Sequence, residues 1–566
     1  MIKRLSAIML AALFLAFASA CGRVADEQKT DSLYGGLFDT SKVHSIKVEL
    51  SDEDWEDLKA NPLEKTKYKA VVTIDGTKVE DVSFSTKGNT SLSQVADSDS
   101  DRYSFKINFG KFVKGKTYNG LKKLALNNVM SDATYMKDYL SYTIMRKAGV
   151  NASLVSYTTL SINGSLHGLY IAIEDVSDSF LTRNYGDDSG ALYKPETSQL
   201  SNVGKDGKDR KDDERPEMTG EPPKGEPPAG MPATGEQPTG EPPTGEGPQP
   251  GFPGEGDPPG NGQFPGRPDG AGPAPGFGGA SKGADLVYSD DEVSSYTDIF
   301  DNAENDVSLI DEHKLIKALK ALNTGEEIEK YWDTDQVIRY FAAHNFVLNY
   351  DSYTGNMLHN YYLYERSGNV TVFPTDYNLA FGGFEAGTDA TELLNGAIDT
   401  PLRGAKEASR PLWNMIASNE EYLAKYHSVY DELLKDYFES GECEKEIKRI
   451  RKMISPYVKS DPTAFYSFEE FEKAVDTLKT AVKLRSQSIR KQLDGSLASV
   501  TSEQKKEDMV DASAVNISAM GTQGGGGPNG GHGDLPAGPP NGGMQPGPGG
   551  QAPQGTPPAP PNGGNQ

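Results

Sequence analysis

Polar and apolar residues alternate through His44-Ser-Ile-Lys-Val-Glu-Leu50, the two-residue period of a half-buried strand. The same period predicts strands over Tyr68–Ile74 and Val79–Phe84, hinged at Asp75-Gly76, a dipeptide suited to a tight hairpin turn. Tyr103–Phe109, Tyr157–Ile162 and Leu169–Glu174 are further strands, the last two separated by a turn that opens on Asn163-Gly164. A short helix is expected around Asp52–Ala60. A longer one is expected from Asp132, which can cap it, to Lys147, with Gly149 ending it and Met136, Tyr139, Leu140, Thr143 and Ile144 along one side.

Past Asp285 the period becomes helical. Leu315, Ile316, Leu319 and Leu322 share a face of 311–322, and Val337, Ile338, Phe341 and Leu348 share a face of 334–348. Pro411 to Leu493 reads as several more amphipathic helices. A strand-rich first half followed by a helix-rich second half predicts an α+β architecture with two lobes, function lying in the cleft between them.

Composition divides the chain of 566 residues. Residues 201–283 and 511–566 carry Gly, Pro, Glu, Gln and Asn with few large apolar side chains; such segments bury too little surface to offset their chain entropy and are expected to be disordered. The first of them contains an irregular Gly-Glu-Pro-Pro repeat at 220–223, 225–228 and 240–243 and reads as an insertion within one domain, its ends free to sit close together. Without these segments and residues 1–37, about 400 residues remain for a core, which spans 38–510 around the insert.

The N-terminus adds a location. Met-Ile-Lys-Arg precedes an apolar run from Leu5 to Phe17 and then Ala18-Ser19-Ala20-Cys21, the pattern of a secretory signal over 1–20. Cys21 after small residues resembles a bacterial lipobox, whose cysteine is acylated; plain cleavage after Ala20 is the alternative. The expectation is a chain anchored by lipid to the cell membrane on its extracellular face, with 21–37 as tether. The one other cysteine, Cys443, then has no disulfide partner and reads as a residue of a charged helix. A net charge of −25 argues against nucleic acid as partner and fits a basic protein better.

The segment 349–384 carries the chemistry. An apolar helix leads into a polar loop with Asp351 and Asn356, then a hairpin (Tyr361–Tyr364, turn, Val370–Phe373), then Asp376. This is the order of the catalytic half of a protein kinase. Phosphoryl transfer needs a carboxylate beside the attacking hydroxyl and oxygen ligands for the cations that bridge nucleotide phosphates. A hairpin would hold the loops side by side, with Asp351 against the acceptor and Asn356 and Asp376 sharing Mg²⁺ or Mn²⁺. Asp-x-x-x-x-Asn alone is weak, since turns use the same residues; the order of elements and Asp376 give it weight. His359 is given no role, because no second His or Cys lies nearby at metal spacing.

The runs Lys87-Gly-Asn-Thr-Ser91, Ser104-Phe-Lys106-Ile-Asn-Phe109, Ile162-Asn-Gly164, Gly168-Leu-Tyr-Ile-Ala-Ile-Glu174-Asp-Val176, Leu192-Tyr-Lys194, Asp351-Ser-Tyr and Asp376-Tyr-Asn-Leu-Ala-Phe-Gly382 resemble, in order, the motifs of the spore coat protein H (CotH) family of atypical kinases. The resemblance implies a diverged, two-lobed protein-kinase-like fold that transfers the γ-phosphoryl of ATP to Ser or Thr of a protein, the chain itself included. It makes Asp351 the catalytic carboxylate, Asp376 a metal ligand and Lys106 the phosphate-binding lysine. Lys87 and Glu174 are assigned to the neighbourhood of the nucleotide. The sequence departs from ordinary kinases in lacking a Gly-x-Gly-x-x-Gly loop before Lys106, in Tyr353 two residues after the catalytic Asp, and in Asp376-Tyr-Asn. An outward-facing protein meets little ATP, so a binding, adhesion or envelope structural module on the same scaffold is the alternative function.

Overall fold

The computed structural model describes residues 32–197 and 281–523. The signal, Cys21, most of the insert and the end of the tail lie outside them. Among the described residues, the segment up to Glu174 carries seven strands: β1 (Val43–Glu49), β2 (Tyr68–Ile74), β3 (Thr77–Lys87), β4 (Ser104–Asn108), β5 (Lys123–Asn127), β6 (Val155–Ile162) and β7 (Ser165–Glu174). They form a closed barrel in the order β1-β2-β3-β4-β5-β7-β6. Closure comes from β1, which pairs antiparallel with β2 on one side and parallel with β6 on the other, from Val43↔Tyr157 to Val48↔Ile162.

This corrects the expected fold. Alternation identified the strands, yet the sheet is not the strand-rich lobe of a two-lobed kinase-like molecule. It is a ring, and a contact between segments more than a hundred residues apart removes its edges. Ile46, Val48, Val72, Phe84, Phe105, Ile107, Leu124, Leu126 and Tyr170 fill its interior.

The Asp75-Gly76 hairpin turn has φ of 46° and 87°, and Asn163-Gly164 has 46° and 83°, both residues of each pair in the left-handed region such turns require. The expected helix at 132–147 is shorter, Lys137–Lys147. Asp132 caps it from a preceding turn, its carboxylate accepting from the Lys137 and Thr134 amides. Helices at Leu309–Thr324 and Thr334–Phe346 begin at Ser308 and Asp333, whose side chains accept from the first-turn amides.

A second sheet has the order β10-β9-β8, from Ala191–Tyr193 (β8), Tyr361–Arg366 (β9) and Asn369–Pro374 (β10). It packs with the helices of the C-terminal part, among them Glu420–Leu433, Glu442–Lys459 and Phe468–Leu493. One core joins this part to the outer face of the barrel, where Ala125, Ile171 and Ile173 meet Leu140, Ile144, Phe341 and Val372. Cys443 is buried on Glu442–Lys459, its thiol pushed up to about 12 by burial and the Glu446 carboxylate.

The flanks of the insert converge. The Asp298 carbonyl accepts from the Glu196 amide at 3.0 Å, and its carboxylate accepts from the Lys282 amide at 2.8 Å.

Candidate active site

The strand period decides which side chains leave the barrel. Ser85 of β3 lies opposite Lys106 of β4, which lies opposite Ala125 of β5, which lies opposite Ile173 of β7. Two positions further along their strands, Lys87, Asn127 and Asp175 emerge on the same outer face. Glu174 pairs with Leu124, an interior residue, and so points the other way.

The polar contacts follow this parity. Lys106 Nζ lies 2.9 Å from Asp175 Oδ2. Burial pulls the Lys106 ammonium down, but the Asp175 and Glu304 carboxylates outweigh it and its pKa is raised. Burial raises Asp175 in turn and is overcome by Lys106 and Lys123, which leave it below the usual carboxylate range. Glu174 instead forms a buried ion pair with Arg183 at 2.6 Å and accepts from Tyr34 Oη and the Leu154 amide. That carboxylate fastens strands to the helix Asp178–Tyr185; Asp175, one residue on, is the acid at the lysines.

Lys87 Nζ donates to Asn127 Oδ1 at 2.7 Å, and Asn127 Nδ2 donates to Asp138 Oδ2 at 2.9 Å. Burial pushes Lys87 down, opposed by the Asp376 and Asp138 carboxylates. Asp138 Oδ1 accepts from the Tyr377 amide, so the helix Lys137–Lys147 holds the loop that begins at Asp376. Burial and the neighbouring Asp376 charge push Asp138 up to about 7. Lys194, just past β8, pairs with Glu196 at 2.7 Å and lies within electrostatic reach of Asp376.

The hairpin β9–β10 brings the second loop alongside. Its pairing ends at Tyr361↔Pro374, beyond which the Thr375 amide donates to the Asn360 carbonyl. Asn360 Nδ2 donates to the Asp351 carbonyl and to Asp351 Oδ2, at 2.8 and 3.2 Å. Asn349 Nδ2 donates to the Asp376 carbonyl at 3.2 Å. Beneath both loops His344 bonds Tyr377 Oη through Nδ1 and Ser352 Oγ and Thr354 Oγ1 through Nε2; burial pushes it down to about 3, so it is neutral. Leu348, Leu358, Asn360 and Asp376 all have φ between 50° and 61°, a clustering of left-handed non-glycine residues that tertiary contacts must sustain.

Of the residues singled out from sequence, Lys87, Lys106 and Asp376 are brought to one patch and Asp351 is stitched beside it. Asn356 is exposed, with its amide against Gly404, and among the described residues no contact joins it to Asp376. His359, given no role, lies 2.6 Å from Asp351 Oδ1. Asp138, Asp175, Asn127, Asn349 and Glu304 were also missed. Period-two parity would have found Asp175; nothing local marks the others.

The donors suit a hard cation. Asn349 Oδ1 is buried without a hydrogen-bond partner, and the Asp376 carboxylate accepts no hydrogen bond among the described residues. No group of three His, Cys, Asp or Glu that could cage a metal occurs among the described residues. Mg²⁺ bound to phosphates needs only one or two carboxylates. A larger cavity, about 1490 Å³, lies away from this patch and is lined by Tyr34, Arg146, Arg183 and Arg449. It shares no lining residue with the carboxylates and lysines above, whose chemistry, not cavity size, marks the candidate site.

A family model described as CotH kinase protein matches residues 84–226 and 277–489. The chain belongs to that family. It is also 27% identical over 193 residues to the inner spore coat protein H of Bacillus subtilis (strain 168), an alignment that covers 34% of this chain and 49% of that protein. The chain thus spans about half the length of the curated relative it matches.

Proposed function

We propose that this protein is an atypical Ser/Thr protein kinase that transfers the γ-phosphoryl group of ATP to a basic protein substrate or to itself. The observation that carries the reading is the convergence of Lys87 and Lys106, from paired strands, on the patch that holds Asp376 and Asp138, with Asp351 fixed beside it through Asn360 and Thr375. The lysines supply charge for a triphosphate. Asp376, helped by Asn349 Oδ1, would hold the divalent cation, with Asn356 the further ligand that the kinase spacing suggests. That cation, Mg²⁺ or Mn²⁺, supplies charge neutralisation at the phosphates. Asp351 would serve the acceptor hydroxyl, directly or through a side chain that it holds.

Acylation of Cys21 would display the enzyme on the outer face of the cell membrane. Cys21→Ser should then leave the membrane fraction; retention there would remove the anchor. The relative's name, inner spore coat protein H, supports a second reading, a structural or binding component of a coat or envelope.

Purified protein with labelled ATP and Mn²⁺ separates the two. Phosphate incorporation that Asp376→Ala abolishes supports the kinase. Absence of incorporation, with no thermal stabilisation by nucleotide, favours the structural module.

A further inference from the structure

We propose that His359 is a catalytic residue: it takes the proton of the acceptor hydroxyl, and Asp351 holds its ring in the required tautomer. This rests on the phosphoryl-transfer reading and assigns one of its steps. The ring Nε2 lies 2.6 Å from Asp351 Oδ1. An ionised carboxylate only accepts, so Nε2 carries the hydrogen and Nδ1 keeps its lone pair. Nδ1 has no hydrogen-bond partner among the described residues.

Asp351 is held independently of the ring. Asn360 Nδ2 donates to its carbonyl and to Oδ2, leaving Oδ1 for His359. Leu358 and Asn360, on either side of His359, both have left-handed φ, 55° and 61°. The backbone is thus bent on both sides of the residue and pinned on one. The His359 side chain stays 16% exposed, reachable by a substrate.

Other histidines show what a structural role looks like. His344 has both nitrogens engaged and is fully enclosed. His427 pairs with Asp399 at 2.6 Å on the helix Glu420–Leu433, so a His–Asp contact by itself says nothing. What separates His359 is that its carboxylate sits in the loop tied through Asn360 to Thr375, next to Asp376.

In the step, the acceptor oxygen forms a bond to the γ-phosphorus and the bond from that phosphorus to the β,γ-bridging oxygen breaks. The electron pair leaves with ADP. The hydroxyl proton passes to Nδ1 of His359 and then to water, and Asp351 stabilises the imidazolium without accepting the proton. Asp351 is the charged group with a described contact to the ring.

The test is labelling of a protein acceptor by the full chain across pH 5.5–9, for wild type, His359→Gln, His359→Ala and His427→Gln. His359→Gln should lose about 100-fold or more in rate with KM for ATP unchanged. The pH–rate profile of His359→Gln should differ in shape from that of wild type. Added imidazole should restore His359→Ala in part, which a packing role would not allow. His427→Gln should label as wild type. A His359→Gln protein with wild-type rate, or a slow His359→Ala that imidazole leaves slow, overturns the assignment and spares the kinase. A wild type that never labels overturns both.

Discussion

Asp138 and Asp376 make a measurable demand on the fold. Asp138 is fully buried and keeps its proton to about pH 7, whereas the same carboxyl in an unfolded chain titrates near 3.8. Between those values the folded state binds more protons than the unfolded one, so stability falls as pH rises. At about 1.4 kcal/mol per pH unit, the shift corresponds to roughly 4 kcal/mol of stability present below pH 4 and lost by pH 7–8. Burial is the largest cause of the shift and the Asp376 charge the next. Asp376→Asn removes that like charge, and part of the decline should disappear. Urea midpoints for wild type and Asp376→Asn from pH 4.5 to 8 measure this, other groups cancelling in the difference. Mg²⁺ or Mn²⁺ at pH 8 should raise the wild-type midpoint and leave that of the variant unchanged. Parallel pH curves for the two proteins would show that Asp376 does not act on Asp138 and would dissolve the patch.

Three further substitutions test other links. Arg102, two residues before β4, is buried against Asp461 at 2.9 Å and also donates to the Asn128 and Leu169 carbonyls, clasping β7 to the loop before Phe468–Leu493; Arg102→Met strands that carboxylate and should cost about 3–5 kcal/mol in chemical denaturation. Asp175→Asn should raise KM for ATP on the order of tenfold with little change in melting temperature, while Glu174→Gln should lower the melting temperature and leave KM alone, because the two carboxylates serve opposite faces of one strand. A Cβ at Gly355 would fall 2.0 Å from the Tyr350 carbonyl oxygen, so Gly355→Ala must move the loop that carries Asp351; phosphate incorporation should drop sharply, with about 1–3 kcal/mol lost in stability.

Much of the strand content was legible because it obeys local rules. β1, β2 and the turns at Asp75-Gly76 and Asn163-Gly164 declare themselves through alternation and through residues that tolerate positive φ. The helices at Leu309–Thr324 and Thr334–Phe346 are marked by apolar period and capping residues. β5 escaped because Lys123–Asn127 has too few alternations to register, and β8 is three residues long. Barrel closure was not legible at all. The β1–β6 pairing joins distant segments, and nothing in Val43–Glu49 states which partner its second edge will take.

The candidate site divides the same way. Asp351, Asp376, Lys87 and Lys106 stand out by residue type and order. Their partners do not: Asp138 is one polar residue in a buried helix, and Asn349 looks like any loop asparagine until its amide is seen against the Asp376 carbonyl. Glu174, which stands out in the sequence, faces the barrel interior opposite Leu124, whereas its neighbour Asp175 meets Lys106, a difference of parity that only the β5–β7 register reveals. His359 has no second His or Cys at metal spacing; its partner is a carboxylate eight positions back in the chain.

The most direct measurement is a crystal structure of the protein with a non-hydrolysable ATP analogue and Mn²⁺, the metal located by its anomalous scattering. The account predicts a manganese peak at the Asp376 carboxylate and a triphosphate against the amino groups of Lys87 and Lys106. Nucleotide bound elsewhere, for instance in the cavity lined by Arg146 and Arg449, with no metal at Asp376, would contradict it.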